Sequence, residues 1–230
     1  MSDDARRAAE RRWRETGEVD DGRRFLAQLV RAGGDEVQIL QVRLAIRHLH
    51  EERVLLAAHV GHAPARAALG ARAPSRAASP DPTEAAPLEE WARDLHDFGQ
   101  AVSVRAALAA GRLTASTLPA EATDRETDPR RALDAAEDWL ACPCPRHRSE
   151  AEAWNPLRGR MAAWAWQTVT AAHCPPGACG QRVWHHVQAI CSAAAAIGEE
   201  PVRAAIREAL LPWALPPSGA AERLERPPEL

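Results

Sequence analysis

The residues best equipped for chemistry lie in the C-terminal half of this 230-residue chain. Cys142, Cys144 and His147 form a C-x-C-x2-H group. Cys174 and Cys179 form C-x4-C, with His173 beside the first and His185 and His186 a little further on. Thiolates and imidazoles are the donors of tetrahedral zinc, which takes about four of them. Two loop-borne groups, one before and one after a helix carrying Trp164, could together supply that set: Cys142, Cys144, His147, Cys174 and Cys179. The C-x-C spacing is tighter than the spacing common in zinc sites, and a proline follows each of its cysteines. The alternative is structural: small thiols in the core and solvated histidines at helix ends.

Other chemistries find little support. C-x-C is not the redox C-x-x-C, and no βαβ pattern surrounds it. There is no G-x-S-x-G turn and no strand to carry one. No glycine cluster resembles a phosphate-binding loop; Gly33-Gly34 reads as a helix stop. The acidic pairs Glu51-Glu52, Glu89-Glu90 and Glu199-Glu200 fall at helix starts, where carboxylates complement the dipole. His48, His50, His59 and His62 form an N-terminal group that could make a metal edge or a pH-sensitive surface. The favoured reading is that they cap carbonyls at helix C-termini. Cys191 falls on an apolar helix face and reads as core.

The composition bounds the rest. All 29 basic residues are Arg, with no Lys and no Tyr. Coding bias accounts for this, or a surface selected for guanidinium pairing with carboxylates or phosphates. The net charge of −3 offers no global basic field, which argues against nucleic acid. No segment approaches the roughly 20 apolar residues of a membrane span. The segment Met1–Arg14 is charged and lacks the apolar region of a secretory signal. Five cysteines, an odd number, fit a reducing cytoplasm better than a disulfide framework.

The elements that must position these residues read as helices throughout. Short Ala- and Leu-rich segments end at Gly or Pro, and no period-2 run of useful length occurs. Val37, Leu40, Leu44 and Ile46 make one apolar stripe, and Val54, Leu55 and Ala58 another that ends at Gly61. Pro64 opens a short helix to Leu69. Residues 71–87, with four prolines among Ala, Ser and Arg, read as a linker between an N-terminal unit (1–70) and a C-terminal domain (88–215). A Pro-rich tail follows (216–230). Within the C-terminal domain, Val102–Leu113 forms a helix, and Asp128 caps another that starts at Pro129. The Cys142-Pro-Cys144-Pro stretch reads as irregular, and Pro156 as the start of a helix to Ala172. Val183, Val187, Ile190 and Ala194 lie on one face of the next helix, which Gly198 ends.

Two segments carry a resemblance. Val102–Leu113 (VSVRAALAAGRL), a polar loop and Asp128–Leu140 (DPRRALDAAEDWL) together resemble the helical immunity proteins of bacterial toxin systems. There an Ala/Arg helix precedes a capped E-A-A-x-x-W helix. Residues Arg11–Leu69, with Trp13, Phe25, Ala57-Ala58 and Val60-Gly61-His62, resemble a module of bacterial proteins of unassigned function. The C-P-C-P interruption after Leu140 and the Pro-rich segment depart from the immunity-like pattern. The resemblance implies a soluble bacterial binding protein, and it transfers no site residues.

The expectation is therefore an all-α protein of antiparallel helical hairpins in a HEAT-like or bundle arrangement. It is expected to act in the cytoplasm, without catalysis or cofactor, by docking another protein as an immunity or adaptor protein, with self-association open. Trp91, Trp154 and Trp184, near helix ends or polar residues, would be the anchors, with Arg105, Arg130 and Arg131 beside them. Core packing is the competing role for each tryptophan. The rival functions are zinc binding through the Cys/His group and a helical repeat that binds nucleic acid.

Overall fold

The Ala- and Leu-rich segments fold as helices, and no strand occurs among the described residues. The structure, a computed structural model, describes residues 3–16, 19–33, 36–69, 86–119, 127–174 and 179–215. The elements are α1 (Asp3–Thr16), α2 (Val19–Arg31), α3 (Glu36–His59) and α4 (Ala63–Leu69). Then come α5 (Leu88–Asp94), a 3-10 turn (Leu95–Phe98), α6 (Gln100–Ser116), α7 (Pro129–Ala141) and α8 (Pro145–Glu152). A second 3-10 turn (Asn155–Leu157) leads to α9 (Ala163–His173), α10 (Cys179–Ile197) and α11 (Glu199–Ala214). No described helix is long and apolar enough to cross a membrane.

Local signals account for most boundaries. The Asp128 carboxylate accepts the Arg130 N–H at 3.0 Å, and Pro129 opens α7 as its first helical residue. Gly198 takes φ 96°, a left-handed conformation that closes α10 without steric cost. Three boundaries differ from expectation. The stripes at 37–46 and 54–58 belong to one helix, α3, because no Gly or Pro falls between them. Pro145 opens α8 inside the stretch expected to be irregular. Pro156 lies in a 3-10 turn, and Gly159 with φ 79° delays α9 until Ala163.

The core gathers round α6, which packs against α7, α9, α10 and α11. Of the two arrangements expected, these contacts describe a bundle about one buried helix. Its face is made of small residues, among them Ser103, Ala106, Ala107, Ala110 and Gly111, so neighbouring helices approach closely. The core also crosses the division expected between an N-terminal unit and a C-terminal domain. Leu56 and Ala57 of α3, Val60 in the turn after it and Ala65 of α4 share one apolar cluster with Trp91, Val102 and Ile206. Among the described residues, Phe25, Leu29 and Val42, with Trp13 against them, form a separate N-terminal cluster. Beside it, the buried Asp21 carboxylate accepts from Arg12, Thr16 and Arg24 and ties α1 to α2. Most of the linker expected at 71–87 (71–85), the tail at 216–230, and the side chains of Leu40, Leu44, Ile46, His48, His50 and Cys179 lie outside the described residues.

Several arginines serve the backbone. Arg53 Nη1 donates to the Trp213 carbonyl at 2.6 Å, next to Pro212, which lies inside the last turn of α11. Arg207 Nε donates to Val60 O at 2.8 Å, and Arg203 Nη2 to Ala86 O at 2.7 Å. A helix leaves its last carbonyls without intrahelical donors. The planar guanidinium supplies several donors at once and reaches such groups between elements.

Candidate functional site

The C-terminal end of the bundle opens into a cleft of about 750 Å3. Three helices line it at helical spacing. Arg148 and Glu152 come from α8, with Asn155 and Arg158 just beyond it. Trp166, Thr170 and His173 come from α9, followed by Cys174. Gln181, Trp184 and His185 come from α10. The i, i+4, i+7 pattern of Trp166, Thr170 and His173 places all three on one face, as does the i, i+3, i+4 pattern of Gln181, Trp184 and His185. The Gln100 carboxamide fixes the end of α9 by donating to the carbonyls of Ala171 and Ala172, each at 3.0 Å.

Hydrogen bonds set the state of the two histidines. His173 Nδ1 lies 3.0 Å from Val169 O and its Nε2 lies 3.1 Å from Asn155 Nδ2. Nδ1 therefore donates, and Nε2 accepts from the amide. His185 Nδ1 donates to Gln167 Oε1, which leaves Nε2 with a lone pair. Burial pushes the His185 imidazole down to about 4, and His173 and Arg158 add to the shift. It is neutral at physiological pH. The ring is wedged edge-on between two tryptophans, 5.6 Å from Trp166 and 5.0 Å from Trp184.

The cleft is rich in donors. The Arg158 guanidinium lies 5.1 Å from the centre of the Trp166 ring. Trp166 is 8% exposed, and its indole N–H is buried without a hydrogen-bond partner among the described residues. Arg148 Nε is likewise buried and unpartnered. Such groups carry a desolvation cost until an acceptor meets them. Glu152 is the one carboxylate among the lining residues. His185 is too weak a base for proton transfer at neutral pH, and burial pushes the Cys174 thiol up.

Of the residues singled out from the sequence, this cleft brings together Trp184, His173, Cys174 and His185. Trp184 is 48% exposed at the cleft. Trp91 is not an anchor: it is 1% exposed and belongs to the core. Its indole N–H donates to His59 O at 3.2 Å, its carbonyl faces His59 Nε2 at 3.1 Å, and the two rings stack. The polar group that suggested a surface position is thus satisfied inside. Trp154 is half-buried against Ala135, Ala151 and Val169, with the exposed Arg131 guanidinium 5.9 Å from its ring. Arg105 lies half-buried, 5.5 Å from the Trp213 ring. Arg130 does structural work, donating to Leu118 O at 2.8 Å and Ala115 O at 3.3 Å at the end of α6. His62 caps the start of α4, accepting the Ala65 N–H at 3.3 Å, and does not cap a C-terminus.

The Cys/His group divides. Cys142 is the C-cap of α7 and Cys144 the N-cap of α8, with Pro143 alone between them. This junction turns the chain so that the ligand atoms of Cys142, Cys144 and His147 all lie within 4.8 Å of one another. Cys174 is not in this cluster; it is buried at the cleft. The Cys144 thiol is held below its ordinary value by the His147 backbone amide and by the neighbouring Cys142, whose own thiol is pushed up by Cys144. Cys191 is partly buried against the main core, and burial pushes its thiol up.

Compared with protein-family models, with curated proteins and with solved structures, the chain finds no match.

Proposed function

We propose that this chain is a non-catalytic binding protein whose working surface is the cleft between α8, α9 and α10, and that it takes an acidic segment of a partner protein. The carrying observation is the convergence of an exposed Trp184 with two arginines and a buried, unpartnered Trp166 N–H in one cleft. Tryptophan and arginine are the side chains that most often dominate interface energies. Carboxylates are the acceptors that suit Arg148 and Arg158. A neutral His185 and a protonated Cys174 thiol suit recognition better than catalysis. The part an immunity or adaptor protein plays in a bacterial toxin or defence system fits this reading, and its support is the resemblance of Val102–Leu113 and Asp128–Leu140.

Fluorescence anisotropy with a labelled Glu/Leu-rich peptide, its Gln/Leu counterpart and a labelled oligonucleotide tests the reading. The acidic peptide should bind more tightly than the neutral one. Trp184→Ala and the double change Arg148→Gln/Arg158→Gln should each weaken it about tenfold or more, equivalent to about 1.4 kcal/mol. Equal binding of both peptides, or indifference to these substitutions, refutes it. Strongly salt-dependent capture of the oligonucleotide in preference to the peptide would replace it with nucleic-acid binding.

A further inference from the structure

We infer that the junction between α7 and α8 is a zinc site made by Cys142, Cys144 and His147 alone, with a fourth position open to solvent. Three soft ligand atoms lie within 4.8 Å of one another, gathered from six consecutive residues. Zinc–sulfur bonds of about 2.3 Å and zinc–nitrogen bonds of about 2.05 Å, set at the tetrahedral angle, hold S and N about 3.6 Å apart. Cys144 Sγ and His147 Nδ1 are 3.6 Å apart. These two ligands therefore already span one edge of the coordination tetrahedron.

The surroundings agree with Nδ1 as the ligand. His147 Nδ1 now faces the Cys142 carbonyl at 2.8 Å, a contact the ring gives up when it turns toward zinc, because a zinc–nitrogen bond of about 2.05 Å leaves no room for the ion between them. The opposite ring nitrogen, Nε2, lies 4.0 Å from Glu150 Oε2. A metal-bound imidazole commonly turns its other N–H toward a carboxylate, which fixes the ring and raises its basicity. Glu150 in turn is held by Arg146 Nε at 2.9 Å. Pro143 and Pro145 restrict the backbone on both sides of Cys144, so the pair of thiols is presented with little freedom to lose. Cys142 is exposed, which leaves the fourth position to water or to a ligand from a partner molecule. The site is separate from the cleft, and neither reading depends on the other.

The test uses the full chain, reduced and stripped of metal. Zinc should bind at one equivalent against a competing chelator, and cobalt(II) in its place should give an intense thiolate-to-metal charge-transfer band. Cys142→Ser, Cys144→Ser and His147→Ala should each reduce affinity at least tenfold. Serine caps a helix well, so Cys144→Ser leaves the start of α8 intact, and circular dichroism checks this. Glu150→Gln should weaken binding about tenfold, within the range for such outer partners. Cys174→Ala, Cys179→Ala and Cys191→Ala should leave the band unchanged. A missing band, a band that survives the Cys142→Ser/Cys144→Ser double change, or one lost with Cys174 or Cys179 overturns the inference.

Discussion

Replacing Gly111 by alanine sets two opposed effects against each other. Gly111 lies in the interior of α6 and is buried. On helix propensity alone, Gly111→Ala should stabilise by about 1 kcal/mol. The added Cβ, however, would sit 2.9 Å from Leu133 Cδ2 on α7 and 3.4 Å from Trp164 Cε3 on α9. Leu133 is fully buried and Trp164 nearly so, so neither can withdraw into solvent. Overpacking of this kind costs about 1–3 kcal/mol. Taking the middle of that range against the propensity gain leaves a net loss of about 1 kcal/mol, which lowers the melting temperature of a chain this long by about 2–4 °C. Urea unfolding followed by circular dichroism measures it. The same substitution made in a Leu133→Val background, where the clashing methyl is gone, should instead stabilise by about 1 kcal/mol, close to the helix-propensity gain. A higher urea midpoint for Gly111→Ala in the wild-type background refutes the packing argument. The consequence reaches the cleft, because α9 carries Trp166, Thr170 and His173.

Acid should destabilise the fold. Burial lowers His59, His186 and His185, the last to about 4. In the unfolded chain they titrate near 6.5, at about the ordinary histidine value. As pH falls below about 6.5 the unfolded state takes up protons that the folded state does not, so stability drops, and for His185 the drop levels off only near pH ~4. A urea midpoint that is the same at pH ~7.5 and pH ~5 contradicts this. At the start of α7, Asp128→Ala removes the acceptor for the Arg130 N–H and should cost about 1 kcal/mol. Asp128→Asn should retain most of it, and a wild-type melting temperature for the alanine variant counts against the cap.

Local signals made the helices legible. Asp128-Pro129, Gly33 and Gly198 act through φ restriction, a missing N–H or a left-handed turn, and these are properties of one or two residues. The C-x-C-x2-H grouping was visible for the same reason: its three side chains fall within one tight turn. What the sequence could not settle was which side of a helix faces the core. Trp91 and Trp184 are both tryptophans beside polar residues, yet one is 1% and the other 48% exposed. His59, thirty-two positions away, decides the first by meeting the indole N–H inside. The cleft was hidden for a related reason. Its three faces each show helical spacing, but only the packing of α8 and α10 on α9 turns those faces toward one another. Burial, and with it the neutral state of His185, follows from that packing, because desolvation depends on neighbours that the chain brings together only in three dimensions.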